Sequence, residues 1–168
     1  MDYDKKAAYW LEKDEDTNKM EERILKERIE VFISSHNTCA LATADLHGFV
    51  RCTPIEYNYF DGCFYMFSEG GLKFKALKEN KNVCLAIFDQ FSGWNKLGGM
   101  QISGSVEMIE PYSDEYLKAM QYKKIPLAAM QKMTEPMPLI KVIPKVIDFL
   151  SSEFKADGCG NRQQIRYV

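Results

Sequence analysis

The chain has 168 residues, 22 Lys and Arg against 24 Asp and Glu, and 46% hydrophobic residues. This composition predicts one globular domain over residues 1–168, with a core large enough to need no disulfide or metal. A net charge of −2 gives no basic field for nucleic acid. No segment has the roughly 20 apolar residues of a membrane span, and the charged N-terminus lacks the apolar stretch of a signal peptide. We therefore expect a cytoplasmic protein that binds neither nucleic acid nor membranes.

The five cysteines and two histidines argue against side-chain nucleophiles and metal centres. The cysteines show no C-x-x-C spacing, so we expect reduced core thiols. His36 lies at a helix exit and His47 in a polar turn, where capping and turn roles are several times commoner than catalysis. Zinc spacing is absent, as are P-loop and dinucleotide-binding glycine motifs. An enzyme of this sequence therefore needs a cofactor to supply its reactive group.

The first predicted element is a helix that follows a loosely ordered or peripheral segment at residues 1–16. Asp16 or Thr17 is placed to cap this helix. Apolar residues such as Leu25 and Ile33 recur with helical spacing as far as Ser34, and charged residues fill the other face. The pattern predicts an amphipathic helix that packs on the core.

Five strand-like runs follow, separated by turn residues. They cover residues 38–44, 49–60, 63–67, 83–88 and 100–108. Asp61-Gly62 is a strong hairpin signal between the second run and the third. Gly104 interrupts the apolar face of the fifth run, which predicts a bulge, a tight barrel bend or a close approach of backbone.

Helices and further strands complete the predicted order. A short helix over residues 72–79 separates the third and fourth runs, with Lys73, Lys75 and Lys78 directed to solvent or to an acidic group. Beyond the fifth run we expect a helix from Ser113 to Tyr122 and a Met/Pro-rich connection. Two strands at 139–143 and 147–151 come next, followed by a loop-like tail and a last run at 163–168.

These elements predict a mainly β domain with peripheral helices. Six or seven antiparallel strands, linked mostly by hairpins, would leave exposed edges in a single open sheet. Closure into a barrel hides those edges. We therefore predict a small six- to seven-stranded antiparallel barrel.

Several short motifs stand in a particular order along these strands. They are the opening strand Cys39–Ala44, Arg51-Cys52-Thr53-Pro54, Tyr65–Ser68 with Lys73 beyond it, Val83–Phe88 and Gln101-Ile102-Ser103-Gly104. Together they resemble the FMN-binding split-barrel flavoproteins of the pyridoxamine 5'-phosphate oxidase-like family. The resemblance covers most of the chain from about residue 20. It implies a homodimer with flavin mononucleotide (FMN) at the interface.

The resemblance implies a phosphate site in the second strand and the short helix. Arg51 and Lys73 look like the phosphate cations, and Ser68 looks like a donor to the phosphate or the ribityl chain. Lys75 fits a phosphate contact and a solvent-exposed position equally well. A guanidinium fork and an ammonium in the first turn of a helix suit a phosphate. Taken alone, a strand Arg and a helix Lys are more often solvated surface residues.

The resemblance also implies where the flavin ring lies. The backbone around Cys52, Thr53 and Pro54 looks like the edge against which the ring rests. Gln101 looks like a ring contact that the other chain can supply. The plainer readings are that Pro54 marks an edge strand and that Gln101 belongs to a polar outer face.

The sequence departs from the strict oxidases in two places. Gly71-Leu72-Lys73 stands where those enzymes have a Ser-Arg-Lys-like run. The tail Asn161–Ile165 does not match their Arg/Pro-rich substrate motif. We therefore expect the fold and FMN to carry over, and the vitamin substrate not to.

Three functions follow from this reading. The first is an FMN-dependent oxidoreductase with a small-molecule redox substrate, in which the protein orients the flavin and keeps its pocket dry. The second is a flavin-binding or stress-response protein without catalysis. The third keeps the split barrel and binds haem or a deazaflavin, and a haem would need His36 or His47 as axial ligand.

Overall fold

The computed structural model describes residues 1–167 and consists mainly of β-strands. The strands are β1 Thr38–Ala44, β2 Val50–Glu56, β3 Asn58–Phe60, β4 Cys63–Phe67, β5 Asn82–Phe88, β6 Gly98–Ile109, β7 Leu139–Ser151 and β8 Arg162–Arg166. The helices are α1 Tyr3–Glu15, α2 Glu22–Ser34, α3 Lys73–Glu79, α4 Asp114–Tyr122 and α5 Leu127–Gln131, with a 3₁₀ turn at Ser152–Lys155. The described part of the chain thus contains eight strands, where six or seven were predicted.

The eight strands form one curled antiparallel half-barrel, as the predicted split barrel requires. Their order is β2-β1-β5-β6-β7-β4-β3, and β8 pairs with β7. Hydrophobic side chains alternate with polar or small ones along β1, β5 and β6, so one face of the sheet is apolar. None of the helices within residues 1–167 has both the length and the apolarity that crossing a bilayer requires.

The main core lies on the inner face of the curled sheet. A row of paired residues crosses it, namely Leu41, Leu85, Ile102 and Ile147, and all four side chains are fully buried. Helix α2 packs against this face and buries Leu25, Ile29 and Ile33. A second cluster lies beneath α4 and contains Phe60, Tyr65, Phe67, Tyr116 and Met120.

The predicted second strand, 49–60, is two strands that break at Tyr57. The Tyr57 side chain is 3% exposed and its hydroxyl donates a hydrogen bond to the Ile33 carbonyl at 2.7 Å. Its backbone N–H donates to the Asn37 carbonyl at 2.8 Å. These contacts attach the end of β2 to the end of α2, and the chain turns there.

The two strands predicted at 139–143 and 147–151 are one strand, β7. Pro144 pairs with Gly104 and Val146 pairs with Ser103, so Lys145 has no partner on β6. This extra residue is a β-bulge, and a bulge is a position where a strand accepts proline. The bulge and the close backbone approach predicted for Gly104 are both confirmed, since a Cβ there would collide with the Ile143 carbonyl.

The N-terminal helices differ from the prediction. Helix α2 begins at Glu22, and its N-cap residue Glu21 makes no side-chain capping bond. Asp16 and Thr17, the predicted caps, instead end helix α1, where the Thr17 hydroxyl donates to the Asp14 carbonyl at 2.9 Å. Helix α1 occupies most of the segment expected to be loose or peripheral, and none of its residues is buried.

Candidate functional site

Arg51 and Thr43 lie side by side at one end of the barrel. They are cross-strand partners on β2 and β1, so their side chains share the inner face of the sheet. Thr43 is 2% exposed, and its hydroxyl has no hydrogen-bond partner in the described residues. Arg51 is exposed and forms no ion pair within residues 1–167. A buried hydroxyl without a partner is uncommon and indicates a place for a ligand or water.

The loop between β4 and α3 lies at this same end. Gly70 and Gly71 have φ angles of +136° and +108°, which side-chain-bearing residues rarely adopt. Ser68 is 7% exposed, and its Oγ donates to the Gly70 carbonyl at 3.3 Å and accepts from the Gly70 N–H at 3.4 Å. The loop is therefore a tight turn with one buried hydroxyl.

Lys73 is buried, although its side chain was expected to face solvent or an acidic group. It is 6% exposed, its Nζ donates to the Gly70 carbonyl, and the same atom lies 5.1 Å from the centre of the Phe74 ring. No carboxylate of residues 1–167 forms an ion pair with it. Burial lowers the pKa of Lys73. An anion at the loop would supply the missing counter-charge.

Helix α3 follows this loop in the chain and contacts the β1–β2 hairpin. It packs against β1, and the Asn80 Nδ2 at its end donates to the Ala44 carbonyl at 3.0 Å. Arg51, Thr43, Ser68 and Lys73 therefore border the same end of the barrel. Lys75 is exposed, and at two residues from Lys73 it points to a different side of the helix.

Strand β2 is an edge strand, with β1 as its neighbour on one side. Backbone hydrogen bonds from Tyr57 to Asn37 and from Asp45 to Phe49 identify the hydrogen-bonded pairs of the hairpin. Because these pairs alternate in an antiparallel ladder, residues 51, 53 and 55 bond to β1, and residues 52 and 54 direct their backbone groups outward. The edge thus offers the N–H and carbonyl of Cys52 and the carbonyl of Pro54. Both residues are exposed, and Thr53 between them is half-buried.

Gln101 lies on the outer face of the sheet, away from the residues above. It occupies the row Pro54–Ala40–Ala86–Gln101. At about 4.8 Å per strand, it is roughly 14 Å from Pro54. Within one chain, the structure brings Arg51, Ser68 and Lys73 to one end of the barrel and does not bring Gln101 there.

A cavity of 610 Å³ lies beside Gln101, between helix α1 and the outer face of β5 to β8. Trp10, Asp148 and Arg162 line it. The sequence did not single out Trp10 or Asp148, since neither belongs to a recognisable motif. The one available signal was the tail, where Arg162 follows the last predicted strand.

The histidines and cysteines are placed as follows. The His36 Nδ1 lies 2.8 Å from the Phe32 carbonyl and its Nε2 lies 3.1 Å from Asp89 Oδ1, so both ring nitrogens have partners. His47 is exposed in the turn before β2. All five cysteines are free, and burial raises the pKa of Cys39 to about 12. Of the five cysteines expected to be core thiols, Cys39 is buried, Cys63, Cys84 and Cys159 are half-buried, and Cys52 is exposed.

Comparison with known proteins adds family and fold. No curated protein matches the chain. HutZ, the heme storage protein of Vibrio cholerae, is 13% identical, with 72% of this chain and 90% of that chain covered and a TM-score of 0.61. ChuZ of Campylobacter jejuni is 18% identical, with coverage of 88% and 61% and a TM-score of 0.65. A FAD-binding protein of Mesorhizobium loti is 17% identical, with coverage of 73% and 89% and a TM-score of 0.59.

These three likenesses show a shared fold, and the chain spans less than two thirds of the length of ChuZ. A family model described as Pyridoxamine 5'-phosphate oxidase matches residues 25–151, which is well over half of the sequence. The matched region runs from α2 to the end of β7 and includes Arg51, Lys73 and Gln101. On this evidence the chain belongs to the pyridoxamine 5'-phosphate oxidase family.

Proposed function

We propose that the protein is a dimeric FMN-binding flavoprotein and a small oxidoreductase. The observation that carries the proposal is the buried Lys73, which has no carboxylate partner among residues 1–167 and lies at the same barrel end as Arg51 and the unpartnered Thr43 hydroxyl. Two cations and a hydroxyl cannot neutralise one another, whereas a phosphate would pair with all three groups. We place the protein in the cytoplasm, where five free thiols stay reduced.

In this proposal the FMN phosphate lies between Arg51 and Lys73. A phosphate monoester carries close to two negative charges. Arg51 can present two parallel N–H groups to it, and Lys73 adds a compact charge. The hydroxyls of Thr43 and Ser68 are further donors. Lys75 is exposed and contributes at most long-range attraction.

The flavin ring lies along β2. Its pyrimidine portion has alternating hydrogen-bond donors and acceptors, and the open edge of β2 offers the N–H of Cys52 and the carbonyls of Cys52 and Pro54. Thr53 lies between Cys52 and Pro54 and directs its own backbone groups toward β1. Because Gln101 is roughly 14 Å from Pro54 in one chain, the Gln101 that approaches this ring comes from the second protomer.

The FMN, when bound, supplies electron transfer chemistry that no side chain here provides. The protein's own residues bind the phosphate, orient the ring along β2 and exclude water. HutZ is a heme storage protein, but both nitrogens of His36 are occupied here and His47 lies in an exposed turn. The residues described thus fit a flavin better than a haem.

Titration of the flavin-free protein with FMN and with riboflavin tests the proposal. The two ligands share the ring and ribityl chain, and FMN alone carries the phosphate. We expect FMN to bind at least tenfold more tightly. Equal affinities would contradict the phosphate site, and a haem spectrum of the purified protein would contradict the flavin.

The dimer is expected to form through the outer face of the sheet. The aromatic residues from 57 to 67 are mostly buried inside the chain, so they do not form a dimer surface. The better support is the face formed by Ala40, Ala42 and Cys84, where small side chains are only half-buried. Such a face is flat enough for close contact with a second copy.

Replacing Ala42 with Arg should therefore produce monomers that have lost FMN. A long charged side chain in the centre of a small-residue interface is both a steric clash and an unpaired charge. Light scattering measures the oligomer, and absorbance measures the retained flavin. Val31→Arg, at an exposed position on α2, is the control and should stay dimeric. A monomeric wild type with full FMN occupancy would refute the dimer.

We also expect no physiological oxidation of pyridoxine 5'-phosphate. This substrate brings its own phosphate and needs a second set of cations beside the flavin. The candidates for this second set are Lys96 in the β5–β6 loop and Arg162 and Arg166 on β8, and Arg162 lies against Trp10. Incubation of the FMN form with substrate and oxygen should give far less than about one turnover per second, the low end of typical rates. Faster formation of pyridoxal phosphate would restore the vitamin activity.

Reduced nicotinamide offers a test of the broader activity. Bleaching of the flavin by the nicotinamide and its recovery in oxygen would support an oxidoreductase with another acceptor. A flavin that stays oxidised with every donor would instead support the flavin-binding protein without catalysis.

A further inference from the structure

We propose that helix α1 forms part of a second binding site, in which Trp10 and Arg162 form one wall of the 610 Å³ cavity and a flat, neutral aromatic molecule binds against them. The role of this molecule as the reaction partner of the flavin rests on the proposed function. Its binding to the cavity does not, because Trp10 and Arg162, which carry the site, take no part in the proposed flavin site.

Helix α1 does not fill the core. None of its residues is buried, and it lies across the outer face of β6, β7 and β8. An isolated helix of its length is marginally stable in water, so the helix needs a tertiary anchor. Its main effect on the fold is to enclose space above the sheet.

The anchor is at the C-terminal end of α1. Gly160 N–H donates to the Asn18 carbonyl at 3.0 Å, and Asn18 Nδ2 donates to the Gly158 carbonyl at 3.0 Å. Met20 N–H donates to the buried Gln163 side chain at 2.9 Å. These bonds attach the chain after α1 to the segment that leads into β8. The helix is thus held at one end and extends from it over the cavity.

Trp10 is the residue of α1 that reaches β8. The Arg162 guanidinium carbon lies 4.7 Å from the centre of the Trp10 ring, and Lys13 Nζ lies 4.8 Å from it. Arg162 forms no ion pair in the part of the chain that the structure describes. Guanidinium groups stack on aromatic faces, and Trp10 and Arg162 here present one continuous wall.

The rest of the lining selects the class of ligand. Leu11, Ala86 and Leu150 are apolar, and Ala86 leaves a flat floor on the sheet. The carboxylates of Asp14, Glu15 and Asp148 face the cations Lys19 and Arg162 around the cavity. This near balance of charge disfavours a strongly anionic ligand.

The volume and the polar groups also fit this class. A volume of 610 Å³ is within the range of small-molecule sites. Gln164 Nε2 donates to Asp148 at 2.6 Å, which fixes that carboxylate. The Arg162 guanidinium forms no ion pair in the described residues and can donate to a polar substituent on the ring. A flat two-ring aromatic with one polar substituent fits these constraints.

Trp10 provides the readout. The sequence has two tryptophans, so Trp94→Phe leaves Trp10 alone, and Trp10→Phe leaves the exposed Trp94 alone. The probe is 1-nitronaphthalene, a neutral and flat two-ring quencher of tryptophan fluorescence. We expect saturable quenching in Trp94→Phe and only linear, collisional quenching in Trp10→Phe. Linear quenching in both variants would overturn the proposal.

Two comparisons test the wall and the ligand shape. In the Trp94→Phe background, Arg162→Gln should weaken binding of the probe several-fold, and Arg166→Gln, on the same strand and outside the cavity lining, should not. A saturated ring system of the same size, 2-decalone, should compete at least tenfold less well than 1-naphthol. Equal effects of the two Arg variants, or equal competition, would contradict the proposed site.

Competition with FMN separates this inference from the proposed function. If FMN binds without displacing 1-nitronaphthalene, both sites stand. If FMN displaces the probe from the cavity, the cavity belongs to the flavin and the second site is wrong. If FMN does not bind and the probe does, the proposed function fails and the aromatic site stands.

Discussion

Replacing Arg51 with Gln should lower the affinity for FMN by about 10- to 100-fold and leave the affinity for riboflavin unchanged. The guanidinium is exposed at the end of β2 and has no carboxylate partner among residues 1–167, so its removal frees no buried charge. A hydrogen bond to a charged group contributes about 1.5–3 kcal/mol, and each 1.4 kcal/mol is about tenfold in affinity. Flavin fluorescence titration measures both ligands.

The control for Arg51 is Arg23→Gln, which changes an exposed Arg on α2 that pairs with Glu27. This variant should bind FMN as the wild type does. A parallel loss of riboflavin affinity in Arg51→Gln would show that the residue supports the ring or the fold and not the phosphate.

The pH dependence of binding has a defined sign because of Lys73. Burial disfavours the charged amine and lowers its pKa in the flavin-free protein, whereas a bound phosphate favours the charged amine and raises it. FMN binding therefore takes up a proton at alkaline pH, and the affinity should fall as the pH rises through the lowered pKa. Arg51 does not titrate in this range, so it makes no contribution to the slope.

Replacing Gly104 with Ala should give the largest loss of stability among the substitutions considered. The added Cβ would collide with the Ile143 carbonyl and lie 3.2 Å from Val142 Cγ1. Backbone on the facing strand cannot rotate away as a side chain can, and overpacking costs about 1–3 kcal/mol and occasionally more. For a chain of this size each kcal/mol lowers the melting temperature by about 2–4 °C. Thermal unfolding followed by circular dichroism measures the change.

Gly99→Ala is the matched control on the same strand. Its Cβ would meet Phe88 Cβ at 3.5 Å, an ordinary contact distance, and Gly99 has no positive φ. Its melting temperature should stay within a few degrees of the wild type. If Gly104→Ala were equally mild, β7 would have to shift at the bulge, and the rigid pairing of β6 with β7 would be the wrong description.

Most strands could be predicted because their signals are local. Alternation identified β6, and short apolar runs between turn residues identified β1 and β5. Asp61 and Gly62 have the positive φ angles of 50° and 72° that the predicted hairpin turn needs. The break at Tyr57 has no local signal, since it depends on a hydroxyl that bonds to the distant Ile33 carbonyl. Helix α1 was missed because charged residues dominate positions 2–6 and 12–16, and its apolar residues, such as Trp10 and Leu11, are not buried in the core.

The candidate site also has a part that the sequence predicts and a part that it does not. The order of the motifs predicted that Arg51 and Lys73 belong to one phosphate site, and the fold brings them to one end of the barrel. The burial of Lys73 could not be predicted, because three lysines lie close together in this helix and the conformation of the Gly70–Gly71 loop decides which one turns inward. The unpartnered Thr43 hydroxyl was hidden in a strand of small residues. FMN and the ring contacts at Cys52, Pro54 and Gln101 stay predictions.

The one-sided pairing of β2 also bears on how the folded chain avoids self-association into fibres. An open strand edge is a template for a strand from another molecule. Pro54 removes one amide donor from the middle of this edge, and Arg51 and Glu56 place opposite charges toward its two ends. A growing ladder needs consecutive donors, whereas a small ligand needs only one or two. Strand β2 can therefore stay accessible to a small molecule and remain a poor template for aggregation.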